Sequence, residues 1–142
     1  MAKLTAEEVQ AFLKRDFPQT TSIVESIGDG TATVRQKITE ANLRPGNTVS
    51  GPTLMALADH ATYVVLLSQI GIVPLAVTTN LNITFMRKLA PGADLLATAK
   101  LLKLGARLAV AEVHLRSAES PDILAQATVT YSIPPGVRRE PE

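Results

Sequence analysis

Hydrophobic residues recur along this chain in two different periods, and the change of period marks out its elements. From Gly51 to Ser68 the run Gly-Pro-Thr-Leu-Met-Ala-Leu-Ala-Asp-His-Ala-Thr-Tyr-Val-Val-Leu-Leu-Ser is apolar on nearly every helical face. That is the pattern of a helix enclosed by other structure. Pro52 suits its first turn, where a missing N–H is no loss. After Gly71 the period falls to two. In Val77-Thr-Thr-Asn-Leu-Asn-Ile-Thr-Phe85, positions 77, 81, 83 and 85 are apolar and positions 78, 80, 82 and 84 are Thr, Asn, Asn and Thr. This predicts a strand with one apolar and one polar face. Pro91-Gly92 turns the chain into a strand over 94–104, and a turn near Gly105 leads into another over 108–115, with Ala109, Ala111, Val113 and Leu115 on one face. The last strand alternates Ile123, Ala125, Ala127, Val129, Tyr131 and Ile133 with Leu124, Gln126, Thr128, Thr130 and Ser132, and Pro134-Pro135 ends it.

The first half of the chain is shorter in rhythm. Thr5 and Glu8 have capping-box spacing before an apolar stripe of Val9, Phe12 and Leu13, which predicts a short helix that stops before Pro18. Residues 21–27 and 31–38 read as two strands around a Gly28-Asp29-Gly30 turn. Residues 41–50 have turn composition and are expected to form a loop. Strands joined by short turns should pair antiparallel. The one long apolar helix must cover one face of the sheet they make, so the inventory predicts an α+β fold, a curved antiparallel sheet of about five to six strands wrapped around a central helix.

Composition narrows the class. At 142 residues the chain is expected to be a single domain, residues 1–142, with a helical segment over 1–20 and a mobile, charged tail over 136–142. With 14 Lys plus Arg against 13 Asp plus Glu, the net charge of +1 lacks the footprint of a nucleic-acid binder. The absence of cysteine excludes disulfides, thiolate metal sites and cysteine nucleophiles, and two distant histidines, His60 and His114, suggest no metal site. Acidic residues stand where a secretory signal would be apolar. The longest apolar run, Tyr63 to Leu67, falls short of the roughly 20 residues that span a bilayer. A cytoplasmic protein with no membrane partner is expected.

One residue breaks the hydrophobic pattern. Asp59 puts a carboxylate in the middle of the apolar helix, where an unpartnered charge costs several kcal/mol. Either it caps a loop or pairs with an arginine, or it does chemistry. His60 points about 100° away around the helix and suits an interior or interface position. His114 shares a strand face with Glu112 and is expected to be solvated.

Taken together, Gly51-(x)6-Ala58-Asp59 after a loop containing Gly, Asn and Thr, then Val77 to Met86, Pro91-Gly92 and Ala125-Gln-Ala-Thr-Val-Thr-Tyr131, resemble the PaaI-type (phenylacetate-pathway) acyl-CoA thioesterases of the hotdog fold. The resemblance covers roughly residues 30–134 in the family's order. It implies acyl-CoA hydrolysis without a cofactor or metal, at the interface of a homodimer commonly paired into a tetramer. It assigns Asp59 as the catalytic carboxylate and the Gly51 backbone N–H as the group that polarises the carbonyl. It also assigns Thr78 as a hydroxyl supplied from the neighbouring subunit. The family's signature histidine is Ser50 here, its second glycine is Pro52, and its upstream polar residue is Arg44, with Asn47 a displaced substitute.

The chemistry follows from those roles. Asp59, in a largely apolar pocket, is either a general base on water or a nucleophile forming an anhydride. The oxyanion would sit at the Gly51 N–H, where the helix dipole favours negative charge. Ser50 is a substrate ligand or simply the helix N-cap. Arg87 and Lys88, with Arg107, either meet coenzyme A phosphates or serve as solubility charges. Two other classes fit the same fold: a non-catalytic hotdog that binds an acyl thioester, and a hydratase. Hotdog hydratases use an Asp and His pair, but the adjacent Asp59 and His60 cannot share a helix face.

Overall fold

The computed structural model describes residues 2–136. Most of the expected tail, residues 137–142, lies outside them. Helix α1 (Ala6–Asp16) starts at a complete capping box between Thr5 and Glu8, with bonds of 3.1 and 3.2 Å, and buries Val9, Phe12 and Leu13. Strands β1 (Ile23–Gly28) and β2 (Thr31–Gln36) form a hairpin whose turn, Asp29-Gly30, uses a left-handed Gly30 at φ 70°. Between them and the rest of the sheet lie two short strands, β3 (Leu43–Arg44) and β4 (Thr48–Val49). Helix α2 (Gly51–Ile70) follows, then β5 (Val77–Phe85), β6 (Leu95–Leu104), β7 (Leu108–Ser117) and β8 (Ile123–Ser132).

Residues 41–50 are more ordered than the expected loop. A single 3-10 turn at Glu40–Asn42 leads into the two-residue ribbon of β3 with β4. Its turn, Arg44-Pro45-Gly46-Asn47, is closed by the Asn47 N–H donating to the Arg44 carbonyl at 3.1 Å. Pro45 supplies the fixed φ and Gly46, at φ 93°, the left-handed one.

The sheet order is β1-β2-β6-β7-β8-β5, antiparallel throughout. This is the hotdog arrangement. The expectation that consecutive strands pair holds where turns are short, but β5 pairs with β8 rather than β6. Residues 86–94 are long enough to carry the chain across the two intervening strands, roughly 14 Å, so β5 is free to take the edge. Register shifts at Glu25, Thr79 and Leu102 bend the sheet around α2.

The shift at Thr79 overturns the face assignment of β5. Upstream of the bulge Thr78 pairs with Tyr131, and downstream Leu81 pairs with Val129 and Ile83 with Ala127. Tyr131, Val129 and Ala127 are all buried, so Thr78 joins Leu81 and Ile83 on the inner face. Val77, expected there, pairs with Ser132 and is 56% exposed.

Helix α2 packs against β2, β6, β7 and β8 and buries Leu54, Leu57, Ala58, Ala61 and the run from Val64 to Leu67. By length and composition it meets the requirement for crossing a bilayer, contrary to the shorter apolar run expected. Of that window 67% is buried inside this fold, so its hydrophobicity is used by the core. Its buried hydroxyls are satisfied locally: Thr62 donates to the Ala58 carbonyl at 3.0 Å and Ser68 to that of Val65 at 2.7 Å. The Lys3 and Leu4 N–H groups bond the Ser68 carbonyl and hold the N-terminal segment across the end of α2.

Candidate active site

Asp59 and His60 are the two partly exposed residues between the buried Leu57, Ala58 and Ala61 on α2. The inner face of β5 and β8 passes this point of the helix. There the Thr78 hydroxyl donates to Oδ1 of Asp59 at 2.5 Å, and the Tyr131 hydroxyl donates to the same oxygen at 2.8 Å. Tyr131 Oη also lies 3.2 Å from the Asp59 carbonyl oxygen. Among the described residues Asp59 makes no ion pair, and its Oδ2 accepts no hydrogen bond. The surroundings therefore differ from the apolar pocket expected. Two hydroxyls replace the water lost from one oxygen, and charge-assisted bonds of this kind are stronger than neutral ones.

Tyr131 is 4% exposed, and its ring packs on Tyr63 with centroids 6.0 Å apart. Burial pushes its phenol well above the ordinary tyrosine range; a bond with Thr78 opposes this and the Asp59 charge adds to it. Tyr131 is thus a protonated donor at any physiological pH. His60 moves the other way. Burial lowers it to about 4, against the attraction of Asp59, so it is neutral near pH 7. Its Nε2 lies 3.4 Å from Thr20 Oγ1, and its ring meets the edge of Phe17 at 6.1 Å.

A cleft of about 1000 Å³ opens beside this group. Asp59, Thr78, Tyr131, Phe17, His60 and Tyr63 are among the residues that line it. Asn42, Ser50, Pro52 and Thr53 stand at the N-terminal end of α2. Ser50 is the N-cap of α2. Its Oγ accepts from the Thr53 N–H at 3.3 Å and lies 2.8 Å from Thr53 Oγ1. Pro52 has no N–H and that of Thr53 is taken, so the Gly51 N–H is the free donor among the first three residues. The ring of Phe85 covers Gly51, 3.3 Å from where a Cβ would stand.

The expected site residues therefore fall into two groups. The fold brings Asp59 and Thr78 into contact within one chain, which corrects the assignment of Thr78 to a neighbouring subunit. Ser50 also reaches the cleft, beside Gly51. Asn47 does not: it is exposed, at φ 59° in the β3–β4 turn, where asparagine tolerates the left-handed region. Arg87 and Lys88 are exposed beyond β5 and outside the cleft lining. His114 is exposed and paired with Glu112 at 2.7 Å on the outer sheet face. Sequence reasoning missed Tyr131 as a site residue, although its polar tip at the end of an otherwise aliphatic inward face was a signal. It also missed Asn42, hidden in a stretch read as loop, and Phe17.

Known proteins share this architecture. The model of the thioesterase superfamily matches residues 46–124. A protein of Silicibacter sp. TM1040 assigned as a thioesterase is 42% identical over 95% of each chain, with a TM-score of 0.87. Zebrafish thioesterase superfamily member 2 is 26% identical over 93% of this chain and 100% of its own, with a TM-score of 0.81. The phenylacetic acid degradation protein PaaI of Thermus thermophilus, at 24% identity over 87% of this chain and 99% of its own, shares the fold with a TM-score of 0.71. No curated protein matches the chain.

Proposed function

Because this chain belongs to the thioesterase superfamily, we propose that it hydrolyses a small to medium or aryl acyl-CoA thioester, with Asp59 as the working carboxylate. The observation that carries this reading is a carboxylate on a roomy cleft, tethered through one oxygen and open at the other. Acting as general base, Asp59 takes a proton from water as the water oxygen attacks the thioester carbonyl carbon. The tetrahedral oxyanion then collapses, the C–S bond breaks, and the thiolate takes up the proton to leave as coenzyme A. Direct attack by Asp59 would form an anhydride that water then opens, giving the same products.

The oxyanion needs a donor, and the Gly51 N–H at the start of α2 suits it. Eight residues of helix separate Gly51 from Asp59, about 12 Å along the axis. That is more than one attacked carbonyl spans with hydrogen bonds of about 3 Å at each end. A second copy supplying its own Gly51 resolves this, so the working unit is a homodimer. Strand β5 supports it: a nine-residue edge strand exposes unpaired backbone groups, with Leu75, Val77, Phe85 and Met86 exposed along it. Two such dimers would pair into a tetramer. Arg87 and Lys88 follow Phe85, whose ring covers Gly51, and their cationic groups would suit the phosphates of coenzyme A.

A thiol-release screen over acyl-CoA esters of several chain lengths and aryl types tests the proposal. Turnover of at least one ester is expected. Hydrolysis of none, with binding retained, would favour a non-catalytic protein that holds an acyl thioester.

A further inference from the structure

We infer that Tyr131 is the positioning residue that fixes the orientation of the Asp59 carboxylate, making Oδ2 the oxygen that works on substrate. The inference rests on the hydrolysis proposed above and adds a residue to it. Three features carry it. The phenol oxygen sits 2.8 Å from Oδ1 and 3.2 Å from the carbonyl oxygen of the same residue, so one rigid ring references the side chain to its own helix backbone. The ring cannot drift, because it is buried on the inner face of β8 against Tyr63. Thr78, the register partner of Tyr131, places the second hydroxyl on the same oxygen. Both donors converge on Oδ1, and among the described residues none reaches Oδ2.

The terminal torsion of an aspartate is soft, with a broad profile rather than three sharp wells. Without an anchor the carboxylate samples orientations in which neither oxygen faces the water correctly, and a misplacement of about 1 Å can cost on the order of 100-fold in rate. Tyr131 does not itself move a proton. Its phenol is buried and held protonated, so it neither accepts a proton from water nor serves as the acid for the leaving thiol. Its effect passes through Asp59 alone.

The test is Tyr131→Phe, which keeps the ring and removes the donor. In the active protein kcat should fall roughly 10- to 100-fold while KM stays within about 2-fold and the folded fraction at assay temperature is unchanged. A tyrosine that merely ties β8 to α2 would lower the melting temperature and leave kcat of the folded protein intact; that result overturns the inference and leaves the thioesterase reading standing. A wild type that hydrolyses no thioester removes both together. Should Tyr131→Phe not fold, 3-fluorotyrosine labelling gives the answer in the native chain. The two tyrosines yield two fluorine resonances, assigned with Tyr63→Phe. The Tyr131 resonance should shift in Asp59→Asn, where a carboxylate acceptor becomes an amide, and no shift would overturn the inference.

Discussion

Thr78 and Tyr131 are register partners across β5 and β8, and both donate to one oxygen of Asp59, at 2.5 and 2.8 Å. The pairing depends on the bulge at Thr79. A regular β5 would put Thr78 on the same outer face as Asn80 and Asn82, away from the helix.

Deleting Thr79 would leave Thr78 opposite Tyr131 and Asn80 opposite Thr130, on the inner and outer faces as before, so the Thr78 contact is tested by substitution. We expect Thr78→Val to lower kcat roughly 10-fold, in the range set by one lost hydrogen bond to a charge. Thr79→Ala, at an exposed side chain, should behave as wild type. A Thr78→Val variant with undiminished kcat would show that the Thr78 hydroxyl does not serve the site.

His60 makes stability depend on pH. It is neutral when folded down to about 4, whereas in the unfolded chain it titrates near 6.5. Above pH 6.5 both states are neutral and the group contributes nothing. As pH falls from 6.5 towards 4 the unfolded state takes up the proton first, so stability is lost across that window, by on the order of 2 to 3 kcal/mol. Denaturant melts at about pH 7 and pH 4.5 should show a smaller difference for His60→Gln than for wild type. An equal difference would place the pH sensitivity elsewhere.

Ser50 caps α2. Ser50→Ala should cost about 1 kcal/mol in urea unfolding, while Ser50→Asp, another good cap, should cost far less. If Ser50→Ala instead left stability unchanged and raised KM, Ser50 would be a substrate ligand rather than a cap.

The exposed edge of β5 predicts self-association. Two copies of the 15.1 kDa chain give a particle of about 30 kDa, or about 60 kDa if dimers pair. Light scattering at micromolar concentration should find one of these. A sharp monomer would remove the second Gly51 from the proposed site.

Much of this fold is legible in sequence because its two clearest signals are local. The all-round apolarity of residues 51–68 specifies an enclosed helix, and the strict alternation of residues 123–133 specifies β8. What local pattern does not carry is a change of parity within a strand. Nothing in Val77-Thr-Thr-Asn announces that Thr79 is an extra residue, so alternation alone puts Thr78 and Val77 on the wrong faces and counts Tyr131 as core. The edge position of β5 is hidden for a related reason, since the order of strands depends on where a long connection crosses the sheet. Asp59 itself stands out because a charge in an apolar helix is costly wherever the helix packs. Its partners come from two strands distant in sequence, beyond the reach of spacing.

Thioester hydrolysis by this chain turns on Asp59. The direct measurement is thiol release from the best acyl-CoA ester by wild type and by Asp59→Ala, with both proteins matched in circular dichroism and melting temperature. A working carboxylate predicts that kcat/KM falls by roughly 100- to 10,000-fold, the range for a general base, with the fold retained. A folded Asp59→Ala protein that turns over the ester at the wild-type rate would contradict the account.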